Sequence, residues 1–258
     1  MCCPGVEIVI DLTLWLYVWI GLAVVLLPVQ LVITAPYGRH SVSGWGPMIN
    51  NTSAWIAMEL VALVGFWGAS LHARQPLSPV AWVAACLWSV HYVNRALIYP
   101  LRTRTRGKRM PVVVMIFAML FNTVNSLVNG TYTGADLLQG GDAGLLGSRS
   151  LFGLLLFVTG WIINLQADNT LLGLRQADEQ GYSLPSGGLF ERISCPNFFG
   201  EIVEWCGFAV FCWNLPALAF AIWTAANLVP RALAHHRWYL QEFPHYPTTR
   251  KAIFPYLL

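Results

Sequence analysis

Residues 12–38, LTLWLYVWIGLAVVLLPVQLVITAPYG, hold no charged side chain. A membrane-crossing helix needs about 20 mainly apolar residues, and only elements that satisfy their own backbone hydrogen bonds can cross a bilayer. A run this long therefore reads as a membrane helix, ending near Ala35–Pro36. Comparable runs follow at about 54–71, at 78–99 (closed by Pro100), at 111–130 and at 150–168, and a final block runs from Phe198 to Pro230. Charged residues make up only 10%, against roughly 25% in soluble domains. The mean hydropathy is +0.56. The expectation is an all-α, polytopic membrane protein forming a single domain over residues 1–258.

The final block decides the topology. As one helix it would reach about 50 Å at 1.5 Å per residue, against a hydrocarbon core of about 30 Å. Two helices with a turn near Trp213-Asn214-Leu215-Pro216 fit better. Cytoplasmic loops carry excess Lys and Arg. The segment LRTRTRGKRM at 101–110 and the tail with Arg231, Arg237, Arg250 and Lys251 should share the inner side. An even number of crossings then separates them. Seven transmembrane helices follow, with the N-terminus outside and the C-terminus cytoplasmic. Arg74 and Arg149 fall outside, and Arg95 lies within the third helix.

Cysteines 2, 3, 86, 195, 206 and 212 form no CxxC pair, so no metal or disulfide role is expected. Lipidation of Cys2-Cys3 has only adjacency in its favour. The N-terminus lacks a basic region and a clear cleavage site, so no removed signal peptide is read. The 169–197 loop carries Pro, Gly and aromatic residues, a composition that predicts order.

Ionisable residues inside apolar helices point to function. Glu59 interrupts WIAMELVALVGFWG, and Tyr92, Asn94 and Arg95 sit together in HYVNRALIYP. Asn164 and Asp168 are four apart on one helix face, as are Asn197 and Glu201, with Glu204 a turn on. Arg231, His235 and Tyr239 repeat every four residues if the last helix continues past the membrane. Most of these lie near inner helix ends, where they could converge on one cytoplasmic cavity. Arg95 and Glu204 also have purely structural readings, the first as a cation that snorkels or pairs with a nearby acid, the second as a helix–helix bond. Glycine-rich phosphate loops, H-E-x-x-H and serine elbows are absent. The residues alone point to a membrane enzyme or transporter binding an anionic ligand at its arginines.

The stretches APYGRH (35–40), ARQPLSP (73–79), HYVNRALIYPL (91–101), GGLFERISCPNFFGEIVEW (187–205) and RALAHHRWYLQEFPHYPTTRKAIFPYLL (231–258) carry a resemblance. The chain resembles the steroid 5α-reductase family (3-oxo-5α-steroid 4-dehydrogenases), as a bacterial-type homologue. The last stretch is shared more widely, with enoyl-CoA and polyprenol reductases. The resemblance implies NADPH bound from the cytoplasmic side and reduction of the Δ4 bond of a 3-oxosteroid. It implies that Glu59 and Tyr92 hold the 3-oxo group. It assigns Tyr37, Arg109, Asn164, Asp168, Arg175, Tyr182, Asn197, Glu201, Arg231, His235 and Tyr239 to the cofactor, and Trp55, Met58 and Trp205 to the steroid pocket. Met58 stands where well-known animal members have Gln, and Asn94 where they often have His.

Hydride addition to an enone pushes negative charge onto the carbonyl oxygen, and donors aimed there stabilise the transition state. Tyr92 has an O–H to give, and a carboxyl can donate when protonated, the form that low-dielectric surroundings favour. The expected partners are a steroid and the bilayer, with no metal, no nucleic acid and no obligate protein partner; a monomer suffices. The membrane would be the inner or plasma membrane in a bacterium, or the endoplasmic reticulum in a eukaryote. Competing readings are a reductase of enoyl-CoA or polyprenal, a prenylcysteine-type methyltransferase, and a transporter. A transporter would show inverted repeats, and none is visible.

Overall fold

The computed structural model describes residues 4–258 except 43, 74–75, 104–106, 139–144, 146 and 175–181, and side chains from residue 12 onward. The helices are α1 (Pro4–Val32), α2 (Asn51–His72), α3 (Pro79–Val93), α4 (Tyr99–Arg102), α5 (Val112–Gly134), α6 (Ser148–Gly173), α7 (Pro196–Cys212) and α8 (Leu215–Glu242). Five of them (α1, α2, α5, α6 and α8) contain windows long and apolar enough to cross a membrane. Large apolar side chains such as Val25, Val64, Phe117, Leu120 and Leu155 point outward. Apolar exposure on this scale suits lipid and not water. The protein is a multi-pass, all-α membrane protein.

Two helix pairs form the centre through close backbone approach. A Cβ on Gly160 would sit 2.3 Å from the Glu204 nitrogen, and one on Gly207 would sit 2.3 Å from the Phe157 nitrogen, so only glycine lets α6 meet α7 this closely. On α5, Gly130 and Gly134 meet the carbonyls of Phe66 and Ser70 on α2 in the same way. Between these pairs lies an aromatic core. Phe66 stacks on Trp88 at 4.7 Å, and Trp88 contacts Tyr92, Trp205, Phe208 and Phe220. Its indole donates to the Ala62 carbonyl at 3.1 Å. The first helix packs on α8, with the Trp223 indole donating to the Trp19 carbonyl at 3.1 Å.

Several helix ends differ from the expected boundaries. Pro100 does not close the third helix. Residues Asn94–Ile98 form a π turn between α3 and α4, and the helical path runs on to Arg102. Pro100 lacks an N–H and clashes with the carbonyl four residues back, and the wider turn absorbs both. Pro230 likewise lies inside α8, which continues to Glu242 and keeps Arg231, His235 and Tyr239 in helical register. The sixth helix extends past 168 to Gly173. The expected turn between the last two helices is present. Trp213 adopts a left-handed conformation (φ 49°), and the Asn214 side chain caps α8 by accepting from the Ala217 N–H at 3.0 Å.

Contacts between loops sort the helix ends into two groups. At one end, β1 (Met48–Asn50) pairs antiparallel with β2 (Arg109–Pro111), and Asn50 caps α2 by accepting from Thr52 and Ser53. The C-terminal tail joins this end: Lys251 bridges to Ile193, and buried Arg250 donates to the Pro185 carbonyl at 2.9 Å. At the other end, Ser78 donates to Asp136 at 2.6 Å, and Arg149 lies over the Trp213 ring at 5.0 Å.

Candidate active site

The π turn places Arg95 at the centre of a buried polar cluster. Its guanidinium lies 3.3 Å from Asp168 and 3.7 Å from Glu201, and over the rings of Trp55 and Tyr99, each at 5.2 Å. Asn197, in the first turn of α7, donates to Asp168 at 3.3 Å, and Asn164 donates to the Asn197 carbonyl at 3.0 Å. The α6 pair Asn164/Asp168 and the α7 pair Asn197/Glu201 thus meet on facing helices.

Tyr92 is buried one turn before the cluster, with its ring 5.9 Å from Trp205 and 4.9 Å from His91. Glu59, on α2, is close enough to Arg95, Glu201, His91 and Tyr92 to interact with them electrostatically. Among the described residues, neither the Glu59 carboxyl nor the Tyr92 hydroxyl makes a hydrogen bond to the protein. Met58 packs with Ala54 and Met110, in a group that also includes Tyr37 and Trp55. His91 bonds fully buried Glu204 through Nδ1 at 2.8 Å.

A second, cationic group adjoins the first through Tyr37, whose ring lies 6.5 Å from Trp55. Arg231 stacks on Tyr37 at 3.4 Å and donates to its carbonyl at 3.0 Å. Gly38 takes a left-handed φ of 65°, and a Cβ there would approach Arg231 to 3.4 Å. The chain then places Arg39 over the rings of Trp238 and Tyr239, each at 4.7 Å, where it donates to the Tyr239 hydroxyl at 3.2 Å. Lys108 donates to the Tyr182 hydroxyl at 2.6 Å. His235 is edge-on to His40 at 4.9 Å and to Phe198 at 5.5 Å. Partial burial, then the charges of Arg231 and Arg39, push the His40 imidazole down to about 4, so it is neutral near pH 7.

Among the described residues, Arg39, Arg231 and Lys108 form no ion pair with a carboxylate. Arg39 Nη1, His40 Nε2 and His235 Nε2 are buried without a hydrogen-bond partner. Cations without counter-ions beside unmet polar groups and aromatic faces fit an anionic ligand with flat rings.

Comparison with known proteins settles the family. The family model for 3-oxo-5-alpha-steroid 4-dehydrogenase matches residues 108–258. The chain is 38% identical to steroid 5-alpha-reductase DET2 of Gossypium hirsutum, over 96% of this chain and 98% of that protein. It is 35% identical to 3-oxo-5-alpha-steroid 4-dehydrogenase 1 of Bos taurus, over 94% and 95%, and 38% identical to the Homo sapiens protein of that name, over 86% and 85%. The chain belongs to the steroid 5α-reductase family. It is therefore an oxidoreductase acting on CH–CH groups.

Within this family member, the expected site residues divide by place. Asn164, Asp168, Asn197 and Glu201 gather around Arg95, and Glu59, Tyr92, Trp55 and Trp205 border that cluster. Tyr37, Arg231, His235, Tyr239 and Tyr182 line the cationic group. Arg109 is exposed and engages through its backbone, accepting from Ser41 at 3.2 Å. Arg175 lies outside the described residues. The sequence reading left out Arg39 and His40, although both end the quoted APYGRH stretch.

Proposed function

We propose that the protein reduces the Δ4 double bond of 3-oxosteroids such as testosterone or progesterone, using NADPH bound at the cytoplasmic end of a seven-crossing bundle. The observation that carries this reading is the meeting of Glu59 and Tyr92 with the Arg95 cluster, directly beside cations that have no carboxylate partners among the described residues. In this reading the N-terminus is outside and the C-terminus cytoplasmic.

Tyr92 and protonated Glu59 donate to the 3-oxo group and stabilise the charge that develops there. NADPH, when bound, supplies the hydride that C5 receives; C4 takes up a proton, which completes the saturated ketone. The apolar rings around Tyr92 exclude water from the reacting end and strengthen those donor bonds. Asn197 and Glu201 hold the carboxamide or ribose side of the cofactor, with Asn164 and Asp168 fixing Asn197. Arg39, Arg231, Arg109 and Arg175 are the candidates for its phosphates, and Tyr37, Tyr182, His235 and Tyr239 wall that region. Trp55, Met58 and Trp205 bound the steroid.

The direct test is purified protein with testosterone and NADPH, with product analysis; an unchanged steroid defeats the proposal. An enoyl thioester and a polyprenal assayed alongside separate the related reductase activities. Tyr92→Phe is expected to lower kcat about 10²- to 10³-fold, the effect of losing one donor to a developing oxyanion. Its NADPH affinity should not change. Arg39→Ala is expected to raise the KM for NADPH roughly tenfold or more, as loss of a charged hydrogen bond does, at unaltered kcat.

A further inference from the structure

Between α1, α5 and α8 lies a small cavity beyond the Glu59 cluster, lined in part by Trp15, Trp19, Asn125, Asn129, Pro216 and Ala219. It has room for about one water-sized group. Asn125 is only 4% exposed, and its Oδ1 accepts from Asn129 Nδ2 at 3.1 Å. Its own amide nitrogen is buried and has no acceptor among the described residues. An unmet N–H donor in an apolar bundle is costly and invites an acceptor oxygen.

The cavity stands in register with the proposed ketone site. Helices α2 and α5 run parallel: Asn122 donates to the Met58 carbonyl at 2.7 Å, and Gly130 and Gly134 meet Phe66 and Ser70 farther along. Glu59, next to Met58, is thus level with Asn122. At ~1.5 Å per residue, Asn125 and Asn129 lie about 5 and about 10 Å farther along the bundle. The cavity that both residues line therefore lies from about half to about the full length of a fused four-ring skeleton beyond Glu59. An aromatic series leads there, from Tyr92 to Trp205 (5.9 Å), Phe220 (4.2 Å), Phe121 (6.3 Å) and Trp19 (6.0 Å).

Resting on the function proposed above, we infer that Asn125 donates a hydrogen bond to an oxygen at the end of the steroid distal to the reacting ketone. The enzyme thereby favours steroids that carry such an oxygen. A bilayer lipid's ester carbonyl offers the same chemistry, so the test separates the two sources.

The full-length protein in nanodiscs is assayed with testosterone, whose distal oxygen is a 17-hydroxyl, and with its 17-deoxy counterpart. Asn125→Leu should raise the KM for testosterone about fivefold, the loss of one neutral hydrogen bond. Both kcat and the KM of the 17-deoxy steroid should hold. Equal KM shifts for both steroids, or none for either, overturn the inference, as does an unchanged KM coupled to loss of a co-purified lipid. If the variant does not fold, the wild type decides: an unpartnered hydroxyl weakens binding through desolvation, so a testosterone KM several-fold above that of the 17-deoxy steroid overturns the proposal. A testosterone KM at or below it is the expected result. Turnover of the 17-deoxy steroid tests the function independently of Asn125; if neither steroid is reduced, both readings fall.

Discussion

Arg95 is the cation at the centre of the buried polar cluster. It faces Asp168 and Glu201 from a buried position and stacks on two aromatic rings. Removing one partner of a buried ionic cluster leaves desolvated charge behind, at a cost of about 3–5 kcal/mol. Arg95→Met is therefore expected to destabilise the fold by about that much, read as a fall in thermal midpoint in detergent. An unchanged midpoint would mean that the two carboxyls do not depend on the guanidinium. The snorkelling alternative for Arg95 does not hold, because the side chain is held inward by acids from two other helices. Its partners were partly legible: the four-residue spacing put Asn164 with Asp168 and Asn197 with Glu201. Arg39 was not legible in that way. It sits in a short loop with no periodicity, and the hydroxyl that it bonds, on Tyr239, is 200 positions away in the chain.

At the scale of elements, α6 and α7 depend on glycines spaced seven apart, Gly153 and Gly160 on one helix and Gly200 and Gly207 on the other. Each would drive a Cβ into facing backbone at 2.3–2.6 Å, and backbone cannot move aside as a side-chain tip can. Gly160→Ala should cost about 3 kcal/mol, the upper range for overpacking. Gly68→Ala, on an α2 face with nothing within 4 Å, should instead stabilise by up to about 1 kcal/mol through helix propensity. Thermal midpoints of the two variants should move in opposite directions; a shared direction would show that backbone contact is not what spaces α6 from α7. These glycines escaped the sequence reading because hydropathy runs locate helices without saying which faces touch. The same blindness explains Pro100, taken as a helix end when a π turn absorbs it; for Pro230 the four-residue spacing of Arg231, His235 and Tyr239 already allowed α8 to pass through, as it does. The turn at Trp213–Pro216 was legible because length, a capping Asn and a first-turn Pro agree there.

For the whole molecule, the charge pattern and the loop contacts support the same sidedness by independent routes. Basic residues crowd 101–110 and the C-terminal tail, and the structure joins both segments to one helix end through Ser41–Arg109, Lys108–Tyr182 and Arg250–Pro185. Ser78–Asp136 and Arg149–Trp213 gather at the other end. The proposed seven crossings need the α3–α4 path and α7 to cross as well, although neither is among the five clear spans. The 17-residue α7 is shielded along one side by α6, and its Glu204 is fully buried against His91, so that carboxyl need not face lipid. Single cysteines placed at 41, 108 and 251 in a background lacking native cysteines should be modified by an impermeant reagent from one face of sealed vesicles. Cysteines placed at 78, 149 and 213 should react only from the opposite face. Labelling of position 213 from the same face as 108 would remove α7 as a crossing. The final helix would then start on the proposed cytoplasmic face, and the basic tail could no longer close the proposed cofactor site from that side.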